Sequence, residues 1–248
     1  MLKNIKLVIA YNGSRYLGWQ KTKEGPGIEE TLEKALGTIL QEKIALQAAS
    51  RTDAGVHADG QVVNFFSQKE PLDLAQLQRG LNAILPKDIS VFSVSLAEGG
   101  FHPTLDCLAK EYCYLICNST AQLPFYKDTS WHFPLQVSLS AMLHAAEHLL
   151  GTHDFSAFCN ERALPKRGGI CRLDCIDIAP LPERRIKISI TGDRFLYKMV
   201  RNLVGTLLYV GCGKMEVDSI PHILLSKKRA NAGVTAPAHG LLLKEVFF

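Results

Sequence analysis

Residues 50–58 read Ser50-Arg51-Thr52-Asp53-Ala54-Gly55-Val56-His57-Ala58, with one residue between a guanidinium and a carboxylate in a glycine-containing turn. An apolar run, Ile44-Ala45-Leu46-Gln47-Ala48-Ala49, precedes the turn. Gln61-Val62-Val63-Asn64-Phe65-Phe66 follows it, with the β-branched and aromatic content of a strand. Asp53 is therefore expected on a loop between paired strands, where scaffolds tend to display reactive groups. A neighbouring Arg51 favours the ionised carboxylate, the form needed by a nucleophile or a general base. Ordinary turn chemistry is the competing account, because Asp-Ala-Gly, and the Asp59-Gly60 that follows, are common turn formers. On local pattern alone the turn account is preferred.

A second constellation is His144-Ala145-Ala146-Glu147-His148, which fits the H-x-x-E-H pattern of inverted zinc metallopeptidases. Two histidines four apart on a helix can share one metal. Both, however, lie opposite the apolar stripe Leu139, Met142-Leu143, Ala146, Leu149-Leu150, so a polar helix surface is the preferred account. The seven cysteines are an odd number. Cys113/Cys117 and Cys171/Cys175 have suggestive spacing, but both pairs fall in strand-like runs. Four residues of strand span roughly 13 Å, too far for two thiolates each about 2.3 Å from one zinc. Buried reduced thiols fit better. Gly213-Lys214 ends like a phosphate loop, but Met215 replaces the required hydroxyl residue and Leu208 the first glycine. No cofactor or metal is implied.

What changes the weight on Asp53 is the whole string. Arg-Thr-Asp-Ala-Gly-Val-His-Ala resembles the catalytic loop of the tRNA pseudouridine synthase A family. Further matches run the length of the chain in family order. They are Tyr11-Asn12-Gly13, Tyr16, Gly18-Trp19-Gln20, Arg79-Gly80-Leu81-Asn82 and Leu85-Pro86-Lys87-Asp88-Ile89, then Lys110-Glu111-Tyr112-Cys113-Tyr114, Gly151-Thr152-His153-Asp154-Phe155, Met199-Val200-Arg201-Asn202 and Ala236-Pro237-Ala238-His239-Gly240-Leu241. Two positions depart from the pattern: Thr104 stands where the family has arginine, and Glu111 where a basic residue is common. Both remove positive charge beside the expected RNA path.

The resemblance implies an isomerase that converts uridine to pseudouridine in the anticodon stem-loop of tRNA, with no cofactor. It implies Asp53 as the catalytic carboxylate. Tyr112 would be the pocket tyrosine, Arg201 the arginine paired with the carboxylate, and Leu241 a pocket wall. Arg51 would fill the gap left by the extruded base or touch a phosphate. His57 is expected to be a structural hydrogen-bonder. The resemblance also implies a homodimer. Two other readings of the chain remain: a zinc metallopeptidase through His144 and His148, and a non-catalytic RNA-binding protein on the same scaffold.

The elements that must position these residues can be read from periodicity. The first half gives a strand at 4–11 and a helix with Ile28, Leu32, Leu36 and Ile39-Leu40 on one face. Strands at 44–50 and 60–66 follow, then a second helix capped by Asp73 with Leu74, Leu77, Leu81 and Ile84-Leu85 inward. A strand at 89–96 ends the half. The second half repeats the order: a strand at 109–117, a helix from Leu139 stopped by Gly151, strands at 172–179 and 185–192, and a long helix from near Arg194. A short helix after Asp218 is an addition, and a strand from Leu241 to Val246 closes the chain. Two β-α-β-β-α-β halves make an α+β protein of two tandem ferredoxin-like units. They are expected to join in one extended antiparallel sheet with a central cleft. Gly99-Gly100 and His102-Pro103 mark the expected boundary, dividing residues 1–103, with the aspartate loop, from 104–248, with the tyrosine and the basic surface.

Composition agrees with a folded protein: 47% of residues are hydrophobic and 21% charged. The start of the chain lacks a signal-peptide core, and no apolar stretch reaches membrane-spanning length, so a soluble, cytoplasmic protein without membrane contact is expected. The net charge of +4 resides wholly in the second half, since eleven basic residues balance eleven acidic ones up to Pro103. Arg162, Lys166, Arg167 and Arg172 form the preferred RNA-contact cluster, with Arg184-Arg185 a further one. Lys227-Lys228-Arg229 reads instead as a solvated helix end.

Overall fold

A computed structural model describes residues 2–160 and 168–248. Arg162, Lys166 and Arg167 lie outside the described residues. The chain divides into two compact units, one of residues 1–108 with 242–248, the other of residues 109–241.

The first unit contains β1 (Lys3–Tyr11), α1 (Ile28–Leu40), β2 (Gln47–Ala48), β3 (His57–Ser67), α2 (Leu74–Ile84), β4 (Ile89–Ala97) and the terminal strand β10 (Leu241–Phe247), whose residues from Leu242 onward fall in this unit. The strand order is β4-β1-β3-β10, with β2 also on β3. Alternation along β1 buries Ile5, Leu7 and Ile9 completely. Leu32 and Leu36 of α1 and Leu77 and Leu81 of α2 are likewise at most 2% exposed. Glu29 and Glu30 sit in the first turn of α1, where the helix dipole favours negative charge. Asp73 caps α2 as expected, its side chain accepting from the Gln76 amide at 2.9 Å.

β2 is much shorter than the expected strand over 44–50, pairing with β3 only at Gln47 and Ala48. Side chains satisfy the neighbouring amides instead: Leu46 N–H donates to Glu33 and Ser50 N–H to Gln61.

The second unit contains β5 (Ala109–Cys117), β6 (Trp131–His132), α3 (Leu139–Glu147), β7 (Gly151–Asp154), β8 (Ile170–Leu181), β9 (Arg185–Gly192), α4 (Met199–Gly211) and α5 (Ser219–Ser226). Its strand order is β5-β9-β8-β7, with β6 on the other edge of β5. The short β6 and β7 have no counterpart in the sequence reading. The helix expected from Arg194 begins only at Met199, because Leu196 turns inward and Lys198 takes a left-handed φ of 60° at the cap. Leu143 of α3 and Leu150 beyond its end are exposed, and Ala145 of α3 is buried. Small residues allow that shift: a Cβ on Gly211 of α4 would lie 2.7 Å from Met142.

The long ladders are antiparallel. Two short pairings are parallel, β10 with β3 and β6 with β5, so the pairing is mixed where a wholly antiparallel arrangement was expected. β10 arrives from the far end of the chain, not through a hairpin, and hairpin geometry therefore does not dictate its direction.

Candidate active site

In the first unit, the Asp53 loop is held from several sides. The Trp19 amide donates to the Thr52 carbonyl at 3.0 Å, and the Tyr11 and Thr52 hydroxyls share a 2.8 Å hydrogen bond. The Val56 amide closes the turn onto the Asp53 carbonyl, and the Gly55 amide reaches the Tyr16 carbonyl. At the loop's start, Gln61 accepts from the Ser50 amide and donates to the Ser50 carbonyl. At its end, His57 accepts from the Gly13 amide through Nδ1 at 3.0 Å, the structural role expected of it. That bond leaves Nδ1 without a proton.

Gly18 is required here. Its φ is +93°, and a Cβ there would lie 2.6 Å from the Thr52 carbonyl oxygen. Tyr16 supports the same corner, its hydroxyl donating to Asp88 at 2.7 Å. Burial and that hydrogen bond push its phenol far above the usual range. Lys244 of β10 pairs with Asp59 at 2.9 Å, and Leu242 and Leu243 pair with His57 and Ala58, bracing the strand that leaves the loop.

Asp53 itself is half-buried and Arg51 exposed. Thr104, at a departure from the family pattern, donates its hydroxyl to the Ala48 carbonyl at 2.7 Å.

In the second unit, Tyr112 lies on β5 opposite Ile190 of β9 and is 6% exposed. The ring of Phe195 meets it edge-on at 5.0 Å. Tyr114, two residues on, is the core tyrosine: it is fully buried and its hydroxyl donates to the Pro237 carbonyl at 2.7 Å. Gly240 allows the close approach, since a Cβ would lie 2.5 Å from the Tyr114 ring. Arg201, in the first turn of α4, donates from Nε to the Ala236 carbonyl at 2.7 Å, and the Ala236 amide returns a bond to the Arg201 carbonyl. Residues 236–240 are thus tied to both α4 and β5, and Leu241, 6% exposed, leaves from that anchored segment.

The sequence reading gave Asn202 no separate role and placed Arg229 on a solvated helix end; the structure instead ties the two together. Asn202 is fully buried. Its amide donates to the Phe158 carbonyl and to Asn160, and its oxygen accepts from Arg229 at 3.0 Å and from Thr235 at 2.7 Å. Arg229 also bonds Asn160, Thr235 and the Ala232 carbonyl. Burial lowers the guanidinium's proton affinity, and these neutral oxygens compensate its charge. Arg229 is therefore structural, while Lys227 pairs with Asp154 at 2.7 Å. Burial works against the Asp154 charge, but hydrogen bonds from Lys227 and Ser156 outweigh it and lower the carboxyl below its usual range.

His144 and His148 stack at 6.0 Å, with His144 exposed. Among the described residues no group of three histidine, cysteine or carboxylate side chains is arranged to hold a metal. Among them, too, no helix is long and apolar enough to cross a membrane.

Residues 7–100 and 145–248 match the model of a family described as tRNA pseudouridine synthase. The chain belongs to the tRNA pseudouridine synthase family. It is 52% identical to tRNA pseudouridine synthase A 2 of Protochlamydia amoebophila, covering 100% of this chain and 95% of that protein. Identity with tRNA pseudouridine synthase A of Acetivibrio thermocellus is 40%, over the whole of both chains. A chain from the solved structure of an H/ACA RNP bound to a substrate RNA aligns at 12% identity with a TM-score of 0.34. It covers 83% of this chain and 53% of that one, a likeness too remote to bear on the site. As a tRNA pseudouridine synthase family member the chain is an RNA-modifying isomerase, which displaces the metallopeptidase and pure-binding readings.

Within the tRNA pseudouridine synthase frame, Phe195 is the neighbour that sequence reasoning missed. The pattern placed it inside a helix, whereas it lies in the loop before α4. Asn202 carried one usable signal: a polar residue inside the stripe of Val200, Leu203 and Leu207 that must find buried partners.

Proposed function

We propose that this isomerase acts on uridine in the anticodon stem-loop of tRNA, with Asp53 as the catalytic carboxylate. The reaction exchanges a nitrogen–carbon glycosidic bond for a carbon–carbon one. Uracil detaches at N1 and rejoins the ribose through C5; the C5 proton leaves and N1 regains one. Atoms and electrons balance without a cofactor. The target base must leave its stack, at a cost of about a few kcal/mol. Asp53 acts as nucleophile or base toward the extruded nucleotide. Tyr112 stacks on the uracil, Arg201 pairs with the carboxylate, Leu241 lines the base pocket and Arg51 meets the phosphate or the vacated stack. The unit bearing Asp53 supplies the chemistry and the unit bearing Tyr112 the base and RNA contacts. A homodimer working in the cytoplasm completes the reading.

The observation that carries it is the bracing of the Asp53 loop. Thr52, Gly55 and Val56 are each hydrogen-bonded through the main chain, and the loop's neighbours Gly13 and Gly18 leave no room for a side chain. A turn that served only to connect strands would need little of this. The test is incubation with an unmodified tRNA transcript, then mapping of pseudouridine by carbodiimide-blocked primer extension. Wild type is expected to produce stops in the anticodon stem-loop. Asp53→Asn is expected to produce none while still binding tRNA; retained turnover in that variant would remove Asp53 from the mechanism.

A further inference from the structure

At the end of β5 and β9 the second unit carries a groove of about 470 Å³. That is the size of a small-ligand site. Leu135, Val137, Leu181 and Ile186 supply its apolar lining. The groove is built and braced by the protein itself. The Asn118 side chain donates to the Phe133 and Leu135 carbonyls, both at 2.7 Å, and its main-chain amide donates to the Arg184 carbonyl at 2.8 Å.

The rim is cationic. Arg184 and Arg185 both line the groove. They close the β8–β9 hairpin, where Glu183 and Arg184 have φ of 61° and 54°. Asparagine and glycine favour such a turn; here it is given to a charged pair at some conformational cost. Arg185 lies 4.0 Å from the centre of the Tyr126 ring and bonds the Pro182 carbonyl, with Glu183 at 3.7 Å. Its charge is partly spent. Arg184 is exposed, and among the described residues nothing engages its guanidinium. Phe125, the chain neighbour of Tyr126 and 96% exposed, lies outside the groove's lining but next to the tyrosine that Arg185 covers. Gln136, also exposed, offers an amide at the groove's edge.

An unengaged guanidinium, a bare aromatic ring, an apolar slot and an edge amide match the four parts of a nucleotide in RNA: phosphate, stacking face, base body and base edge. Register places the site relative to Tyr112. Tyr112 pairs with Ile190 and Cys117 with Arg185, so the groove begins five residues along the same strand, roughly 17 Å away. We propose that this groove is a second RNA site that takes an unpaired nucleotide of the same tRNA, with Arg184 on its phosphate and Phe125 as a stacking platform. The inference rests on the tRNA reading above and adds a contact that the reaction itself does not need.

Equilibrium binding of an unmodified tRNA transcript, followed by fluorescence anisotropy at several salt concentrations, tests it. Both residues are exposed, so Arg184→Ala and Phe125→Ala proteins keep the wild-type fold, checked by circular dichroism. Each is expected to raise Kd about tenfold, and Arg184→Ala to lower the salt slope by about 0.7 to 0.9. Photocrosslinking of 4-thiouridine-substituted tRNA is expected to mark peptides containing Phe125 or Gln136. Kd within about twofold of wild type for both variants would overturn the proposal. So would Arg184-dependent binding of adenosine monophosphate with no change in tRNA affinity, since the groove would then serve a free nucleotide. Binding is read without turnover. A wild type that bound in this Arg184-dependent way yet formed no pseudouridine would count against the proposed function alone.

Discussion

Arg51 and Asp53 are near neighbours in sequence, yet Arg51 is exposed and Asp53 half-buried. One intervening residue in a loop does not fix the relative direction of two side chains. What is fixed is the backbone around Asp53, and Gly18 does much of that work. An alanine there meets the Thr52 carbonyl at 2.6 Å and must hold a φ of +93°. Gly18→Ala is expected to cost about 2–3 kcal/mol of stability. It is also expected to slow pseudouridine formation, because relief of the contact displaces the residue beside Asp53. Urea unfolding and single-turnover rates check the two effects. Unchanged turnover in a folded variant would show that the loop tolerates movement. The Asp53 string was legible because so many of its residues have a structural duty: Thr52, Gly55, Val56 and His57 each make a hydrogen bond that holds the loop. Phe195 was not legible, because its contact with Tyr112 is set by the strand register of β5 against β9.

Among elements, the least readable was the start of α4. The apolar pattern runs unbroken through Phe195 and Leu196, but the backbone turns into a helix only at Met199. The intervening loop has other partners: Arg194 donates to the Gly168 carbonyl and Phe195 abuts Tyr112. The hydrogen-bonded cluster of buried Asn202 with Arg229, Thr235 and Asn160 then locks α4 to the segments at 160 and 235. Removing the guanidinium takes a donor from the fully buried Asn202 oxygen and from three partners around it. Arg229→Ala is expected to lower unfolding stability by about 2–4 kcal/mol. Arg229→Lys is expected to recover little of it, because an ammonium lacks the planar fork that reaches four acceptors. Denaturant titration of both variants checks this, and full recovery by lysine would mean that charge alone matters there. Helices whose caps are local, such as α2 with Asp73, were read to the residue at their start.

On the scale of the whole molecule, the first unit is made from both ends of the chain. Residues 242–248 belong with residues 1–108. Leu243 is completely buried and Val246 8% exposed, and Lys244 pairs with Asp59 next to the strand leaving the Asp53 loop. Each buried aliphatic side chain contributes about 1.5–3 kcal/mol. Deleting residues 242–248 is therefore expected to destabilise the first unit by about 3–6 kcal/mol and to abolish turnover. Hydrogen exchange of the β1 and β3 amides reads the first effect. Protection equal to wild type would mean that β10 is dispensable to the unit.

The chain's own pattern of residues determined most strand and helix identities, the repeat of element order, the braced aspartate loop and the family. Those depend on local periodicity, turn chemistry and motif spacing. Only the tertiary structure decided that β10 pairs in parallel with β3, that α4 starts late, that Arg229 clasps the buried Asn202 and that Arg184 rims a groove. Each of these depends on which distant segment arrives to satisfy a backbone group or a buried polar atom. No local pattern in a single sequence encodes that arrival.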